Sequence, residues 1–142
     1  MDIKENNDRL SDNFTLEEFT RSETAERLGI NNTPGDKELA ALRVLVTRTL
    51  QPLREALGMT IHVNSGFRCP ELNKAVGGVP TSQHQKGEAA DLSIDGKASD
   101  ILEALENNNI PFDQAILYRK QNFLHVSLKL DGLQRSNVII KI

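Results

Sequence analysis

The stretch from Ser82 to Asp91 reads SQHQKGEAAD and places the smallest residue types between a histidine and a carboxylate. His84 is one of three histidines in the 142-residue chain, and Asp91 follows it seven positions later. A surface loop has no need of a glycine and two alanines here, and a buried strand would favour Val or Ile. Either another group approaches this backbone closely, or the stretch is an ordinary turn that leads into a strand of small residues.

Alternation along two predicted strands places a carboxylate and a second histidine on polar faces. In 88–94 the residues Ala90, Leu92 and Ile94 share one face, so Asp91 points to the other. In 122–130 the leucines and Val126 share one face, so His125 points away from them. Two histidines and one carboxylate with an open fourth position form a catalytic zinc site. The alternative is a surface histidine, a capping aspartate and a solvent-facing strand histidine.

Length and composition indicate one globular domain, which we place at 13–142 after a flexible N-terminus at 1–12. The net charge of −3 provides no strong field for nucleic acid or an anionic membrane. With only 4% aromatic residues, a base-stacking platform is not expected. We therefore expect no nucleic-acid or membrane partner, and a monomer.

The N-terminus and the single cysteine bear on compartment. The first residues are polar and lack the apolar core of a signal peptide, and no segment approaches the roughly 20 apolar residues of a membrane span. Cys69 has no partner for an intrachain disulfide. We interpret it as a small buried residue, with a nucleophile or metal ligand as the alternative. We expect a protein that is cytoplasmic on synthesis.

The remaining patterns predict an α+β domain with a central antiparallel sheet and helices packed on one side. A long helix starts at a cap on Asp36, is kinked or split at Pro52 and ends at Gly58. The other predicted helices start at the capping box Thr15–Glu18 or span 23–28, 70–76 and 99–107. The other predicted strands span 60–64, 112–118 and 137–140.

Several motifs together resemble one known family. The pattern S-x-H-x-x-G-x-A-x-D occurs at Ser82–Asp91, and a strand of the form aromatic-hydrophobic-His-Val-Ser occurs at Phe123–Ser127. Upstream lie the S-G-F-R motif at Ser65–Arg68, then Asn73 and the paired glycines Gly77 and Gly78. The chain also contains the segments Asn13–Phe19 and Phe112–Gln114. Over about residues 13 to 140 the chain resembles metallopeptidase family fifteen, the zinc D-Ala-D-Ala carboxypeptidases and peptidoglycan endopeptidases. It is most similar to the small single-domain members found in phage and bacterial genomes.

The resemblance implies a hedgehog/DD-peptidase-like fold and a set of functional residues. It implies that His84, Asp91 and His125 bind Zn²⁺. It also implies that Arg68 holds a substrate carboxylate, a role that suits the two parallel hydrogen bonds of a guanidinium. A structural ion pair is the alternative for Arg68. Ser82 either contacts substrate or supports the His84 turn.

The family's usual proton acceptors are absent from the last metal strand. Some relatives carry Glu or Asp three residues before the final ligand, where this chain has Asn122, and others carry His two residues before it, where this chain has Phe123. Asp113 is the best substitute as the catalytic base, and a carboxylate that binds backbone amides is its alternative. Glu88 alternates to the face opposite Asp91. His62 is interpreted as structural, with a position near the cleft as the alternative.

The implied function is zinc-dependent cleavage of peptidoglycan stem peptides, as a D,D-carboxypeptidase or an endopeptidase, by water activated on the metal. The alternative is a catalytically impaired peptidoglycan-binding module of the same fold. A third possibility is a zinc hydrolase that acts on another peptide or amide. The implied site of action is the bacterial cell wall, which a phage lysis system would reach without a signal peptide.

Overall fold

The computed structural model describes residues 8–142 and contains a five-stranded sheet with helices packed on one face. The helices are α1 (Leu16–Thr20), α2 (Glu23–Leu28), α3 (Asp36–Leu45), α4 (Gln51–Leu57), α5 (Pro70–Ala75) and α6 (Ala98–Asn107). The strands are β1 (Arg9–Ser11), β2 (Phe14–Thr15), β3 (His62–Ser65), β4 (Ala89–Ser93), β5 (Gln114–Tyr118), β6 (Phe123–Ser127) and β7 (Asn137–Lys141). The predicted α+β class is confirmed.

The sheet has the strand order β3-β4-β6-β5-β7 and is antiparallel except at one edge. There β7 runs parallel to β5, with Gln114 opposite Asn137, so the predicted antiparallel sheet has one parallel pair at its edge. Both edges of β6 are already occupied by β4 and β5. The chain therefore passes the end of β5 in the loop 128–136 and pairs with the free edge of β5.

The two faces of the sheet differ in character, as the alternation along the strands predicts. One face carries apolar side chains that pack against the helix layer and lose essentially all their solvent contact. Its largest buried members include Leu92, Leu117 and Leu124, which lie against Leu42, Leu45, Leu50, Leu53, Ile101 and Leu105 of the helices. Each such burial stabilises the fold by about 1.5–3 kcal/mol. The opposite face is left open for polar residues.

The long helix is continuous in path but changes to a wider turn one turn upstream of Pro52, where the sequence predicts a kink or a split. A π-helical segment, Val46–Leu50, connects α3 to α4, and the Gln51 N–H donates to the Val46 carbonyl. Pro52 has no N–H to donate within the helix, and the wider turn carries the chain through without a break. The helix begins at Asp36, so its cap is Gly35 rather than the predicted Asp36.

The folded part of the chain begins before the predicted boundary at residue 13. Strand β1 pairs with β2, and Leu10 is buried in the core. The predicted flexible N-terminus is therefore wrong for 9–11, while 1–7 lie outside the described residues. Within 8–142, no helix combines the length and the apolar character that a membrane span requires.

Candidate metal centre

Strand pairing brings the predicted carboxylate and one predicted histidine face to face. Asp91 of β4 lies directly opposite His125 of β6. His84 comes from the short 3₁₀ turn Gln83–Lys86 that precedes β4. The structure thus brings together all three side chains that the sequence predicts as ligands, on the open face of the sheet.

The three side chains converge on one point. His125 Nδ1 lies 2.9 Å from Asp91 Oδ1, and His84 Nε2 lies 3.3 Å from the same oxygen. One potential ligand atom from each residue lies within 4.8 Å of the others. Ligand atoms 2.0–2.2 Å from a tetrahedral zinc ion are separated by about 3.3–3.6 Å. The donor set suits one tetrahedral ion with a fourth position left for solvent or substrate, and the three atoms are close enough together to share it.

A backbone carbonyl orients the buried ring of His84. Its Nδ1 lies 2.7 Å from the Gly66 carbonyl oxygen. A carbonyl only accepts hydrogen bonds, so Nδ1 donates to Gly66, and Nε2 is the ring nitrogen that faces Asp91 and is placed to bind a metal. Gly66 suits this position because a Cβ there would lie 2.6 Å from the Cα atom of Phe19. The glycine of the S-G-F-R motif thus contributes to the site through its backbone.

Asp91 is held in the charged form that a metal ligand requires. Burial raises the pKa of its carboxyl group. Hydrogen bonds from His125 and His84, together with the charges of these rings, lower the pKa by a larger amount. The net pKa lies well below its usual range. The carboxylate is therefore ionised wherever the protein is folded at ordinary pH.

Arg68 lies beside this group with its guanidinium fixed from two directions. Its Nε donates to Ser65 Oγ at 3.2 Å, and its Nη1 donates to Asn73 Oδ1 at 3.1 Å. Its Nη2 lies 3.7 Å from Asp91 Oδ2, and the side chain is 17% exposed. Burial lowers the pKa of Arg68 and the Asp91 charge opposes that shift. An arginine remains charged in such a setting, so the site has a rigid cation at its edge.

The metal group and Arg68 line a cleft of about 630 Å³ on the open face of the sheet. Ser82 also lines it and accepts a hydrogen bond from the His84 backbone N–H at 3.2 Å, so its hydroxyl supports the turn. A contact between Ser82 and substrate stays a prediction. On the other side, the rings of Tyr118 and Phe123 stack at 4.5 Å and form an aromatic wall.

The structure gives Asp113 a different environment from the one expected of a catalytic base. It is 0% exposed and is absent from the described lining of the cleft. Its Oδ1 accepts from the backbone N–H of Arg135 at 2.9 Å, and its Oδ2 accepts from Arg135 Nη2 at 2.8 Å. Burial raises its pKa, and the bonds to Arg135 lower it to a value below its usual range. Both oxygens are occupied, which does not favour proton transfer at the metal group.

The two positions where relatives carry a proton acceptor have structural roles here. Asn122 adopts a positive φ of 60°, accepts from the Ala98 N–H at 2.7 Å and donates to the Gly96 carbonyl at 2.9 Å. Its side chain therefore completes the start of α6. Phe123 belongs to the aromatic wall.

The Asn122→Ala variant should lower the free energy of unfolding by about 1–2 kcal/mol. It removes a helix-capping bond and places a Cβ-bearing residue without local polar support at positive φ. Zinc affinity should not change, because Asn122 faces α6. Chemical denaturation and zinc titration of the same preparation measure both effects. Loss of zinc affinity in a folded variant would contradict this assignment.

The remaining candidate residues lie away from the metal group. His62 Nε2 is 3.3 Å from Asp95 Oδ1 at the surface, in agreement with a structural role. Glu88 accepts from the Leu130 N–H at 3.0 Å and is not part of the described cleft lining. Cys69 is half-buried and precedes α5, likewise outside that lining.

Sequence reasoning missed Arg135, which lines the cleft from the loop before β7. It lies in no motif, and a single arginine in a loop does not by itself indicate a binding role. One signal was present: a buried aspartate before a strand needs a cationic partner, and the chain offers few cations nearby. Lys129 is the second cation beside this aspartate, with its Nζ 3.8 Å from Asp113 Oδ1.

A cleft in which two imidazoles and a carboxylate converge beside a fixed arginine is the kind of site found in metal-dependent hydrolases. The family model described as Peptidase M15 matches residues 12–127 of this sequence, so the chain belongs to that peptidase family. The sequence matches no curated protein with statistical significance. The family resemblance inferred from the motifs is confirmed, and membership supports hydrolysis of peptide bonds as the class of reaction.

Proposed function

We propose that the protein is a zinc-dependent peptidase that cleaves stem peptides of bacterial peptidoglycan. The observation that carries the proposal is the convergence of His84 Nε2, Asp91 Oδ1 and His125 Nδ1 in an open cleft. Membership of the Peptidase M15 family supports the reaction class. The bacterial cell wall is the site of action that such a substrate implies.

Some residues of the cleft bind the metal, and others position the substrate. A zinc ion bound by the three ligands would polarise the scissile carbonyl and lower the pKa of a water molecule. Gly66 fixes the tautomer of His84, so the ligand nitrogen needs no rearrangement. Arg68 holds the substrate carboxylate and so positions the scissile bond over the ligands, which contributes through orientation.

Replacement of Arg68 by Gln should lower kcat/KM on a peptide with a free C-terminus by about 10–100-fold, because a charge-assisted bidentate contact is lost. The same peptide with a C-terminal amide should be cleaved slowly by both proteins. Arg68→Lys keeps the charge but not the fork and should lie between them. Equal losses on acid and amide would contradict a carboxylate-binding role. Zinc content is measured in each variant, because Arg68 lies close to Asp91.

The direct test is incubation of the zinc-loaded protein with purified peptidoglycan, with the chelator-treated protein as control. Release of free D-alanine identifies a carboxypeptidase, and new amino termini without free D-alanine identify an endopeptidase. Either product, dependent on zinc, is the expected result. A zinc-loaded protein that releases neither product from several wall types would contradict the proposal.

A second candidate is a binding module that retains the metal and recognises stem peptides without cleaving them. One observation favours it: among the described residues that line the cleft, Asp91 is the only carboxylate, and it is a ligand. Co-sedimentation of the zinc-loaded protein with peptidoglycan, without release of fragments, would identify the module. Release of fragments would identify the enzyme.

A further inference from the structure

We propose that Arg135 forms a second carboxylate-binding subsite in the cleft, which selects substrates that carry an additional acidic group. The inference rests on the proposed function, because it specifies the peptides that the same cleft accepts. Arg135 lies outside the residues that the family model matches, so its role is not carried over from the family.

One edge of the Arg135 guanidinium is fixed by a buried acid. Its Nε lies 3.1 Å from each carboxylate oxygen of Asp113, and its Nη2 lies 2.8 Å from Oδ2. The backbone N–H of Arg135 donates to the same carboxylate. Gln83 also donates to Asp113 Oδ2, at 3.3 Å. The acid therefore orients both the side chain and the loop that carries it.

The opposite edge of the guanidinium is available. Among the described residues, Nη1 of Arg135 makes no hydrogen bond, and the side chain is 52% exposed where it lines the cleft. A guanidinium has five N–H donors in a planar fork, so the Nη1–Nη2 edge can hold a second carboxylate with two parallel bonds. Since Asp113 has already ordered the side chain, little rotamer entropy remains to be lost on binding.

The surrounding loop is also held in place. Gln134 accepts from the Lys129 N–H at 2.8 Å and donates to the Lys129 carbonyl at 3.0 Å, which closes the loop 129–134 on itself. Gln114, a cleft residue, donates to Asn137 Oδ1 at 3.0 Å and ties the loop's far end to β5. The segment that carries Arg135 is thus held in place by hydrogen bonds on both sides of the residue.

Both arginines line the cleft that contains the metal group, and each is held beside a different strand. Arg68 approaches Asp91 on β4, and Arg135 contacts Asp113 at the start of β5. Strand β6, with His125, lies between β4 and β5, so these outer strands are about 10 Å apart. A peptide that fills this cleft can therefore contact both cations. A free C-terminus at Arg68 and an internal carboxylate at Arg135 complement that arrangement.

The test uses two synthetic stem peptides that share sequence and free C-terminus and differ only in one internal carboxyl group, present as the acid or as the primary amide. The wild-type protein should favour the acid by about 10–100-fold in kcat/KM, the range expected for a charge-assisted bidentate contact. Arg135→Lys keeps a cation for Asp113 and should reduce that preference to less than about 3-fold, because the ammonium cannot serve both carboxylates. The double variant Asp113→Asn/Arg135→Gln removes the buried charge with its partner and should also abolish the preference.

Arg43→Lys is the matched control, since Arg43 is exposed on α3 in the helix layer. It should leave the preference unchanged. Thermal unfolding and zinc content show that each variant is folded and loaded. If the wild-type protein cleaves both peptides equally, or Arg135→Lys retains the full preference, the subsite is refuted while the proposed function stands.

If the wild-type protein cleaves neither peptide, the peptidoglycan assay decides the proposed function, and calorimetric binding of the same peptides to the zinc-loaded protein decides the subsite alone. The acid should then bind about 10–100-fold more tightly than the amide, with the difference lost in Arg135→Lys. Equal affinities, or no detectable binding of either peptide, would overturn the inference.

Discussion

The Asp91→Ala variant is expected to lose zinc and all peptidase activity. It removes the only carboxylate among the three ligands and leaves two imidazoles that hold zinc poorly. Changes in groups that merely support ligands cost 10–100-fold in metal affinity, so loss of a ligand should cost more than about 100-fold. Zinc content after dialysis, zinc titration and release of peptidoglycan fragments measure the effect.

Asp95→Ala is the matched control for this variant. Asp95 follows β4 in the chain, and its carboxylate is 97% exposed and contacts only His62 among the described residues. Its zinc affinity and its release of peptidoglycan fragments should equal those of the wild-type protein. Retention of one zinc ion per Asp91→Ala chain with unchanged affinity would show that the ligand set is wrong.

The Gly87→Ala variant should lower the free energy of unfolding by about 3 kcal/mol and weaken zinc binding. Gly87 has a left-handed φ of 73°, which costs an L-residue about 1–2 kcal/mol. A Cβ there would also overlap the backbone carbonyl oxygen of Glu38 on α3, so the turn or the helix must shift, at about 1–3 kcal/mol. Since Gly87 ends the turn that carries His84, that shift reaches the metal site.

Gly29→Ala separates the two causes. Gly29 has a nearly identical φ of 69°, but a Cβ there meets no atom within 4 Å. Denaturant unfolding should show a loss of about 1–2 kcal/mol for Gly29→Ala, from backbone strain alone, and unchanged zinc affinity. Equal losses for the two variants would contradict the close approach of α3 to the His84 turn.

The positions of the ligands were predictable where local rules apply. Strand alternation assigned Asp91 and His125 to the open face, and the small residues after His84 left a close backbone approach as one of two interpretations. The pairing of β4 with β6 was not readable from alternation, because it joins residues 34 positions apart in sequence. The family motifs supplied that information.

The roles of Asp113 and Arg135 were not predictable, because both depend on a loop conformation. A carboxylate at the start of a strand looks the same in sequence whether it faces a cleft or the interior. Only the crossing of 128–136 past the end of β5 places Arg135 over Asp113 and encloses the acid. The same crossing makes β7 parallel to β5, which strand patterns do not encode because alternation is identical in both directions.

The most direct test of this account is a crystal structure of the zinc-loaded protein with anomalous data collected at the zinc edge. We expect one anomalous peak within about 2.0–2.2 Å of His84 Nε2, an Asp91 carboxylate oxygen and His125 Nδ1, with a solvent molecule at the fourth position. A peak bound by other side chains, or ordered protein with no peak between these three residues at saturating zinc, would contradict it.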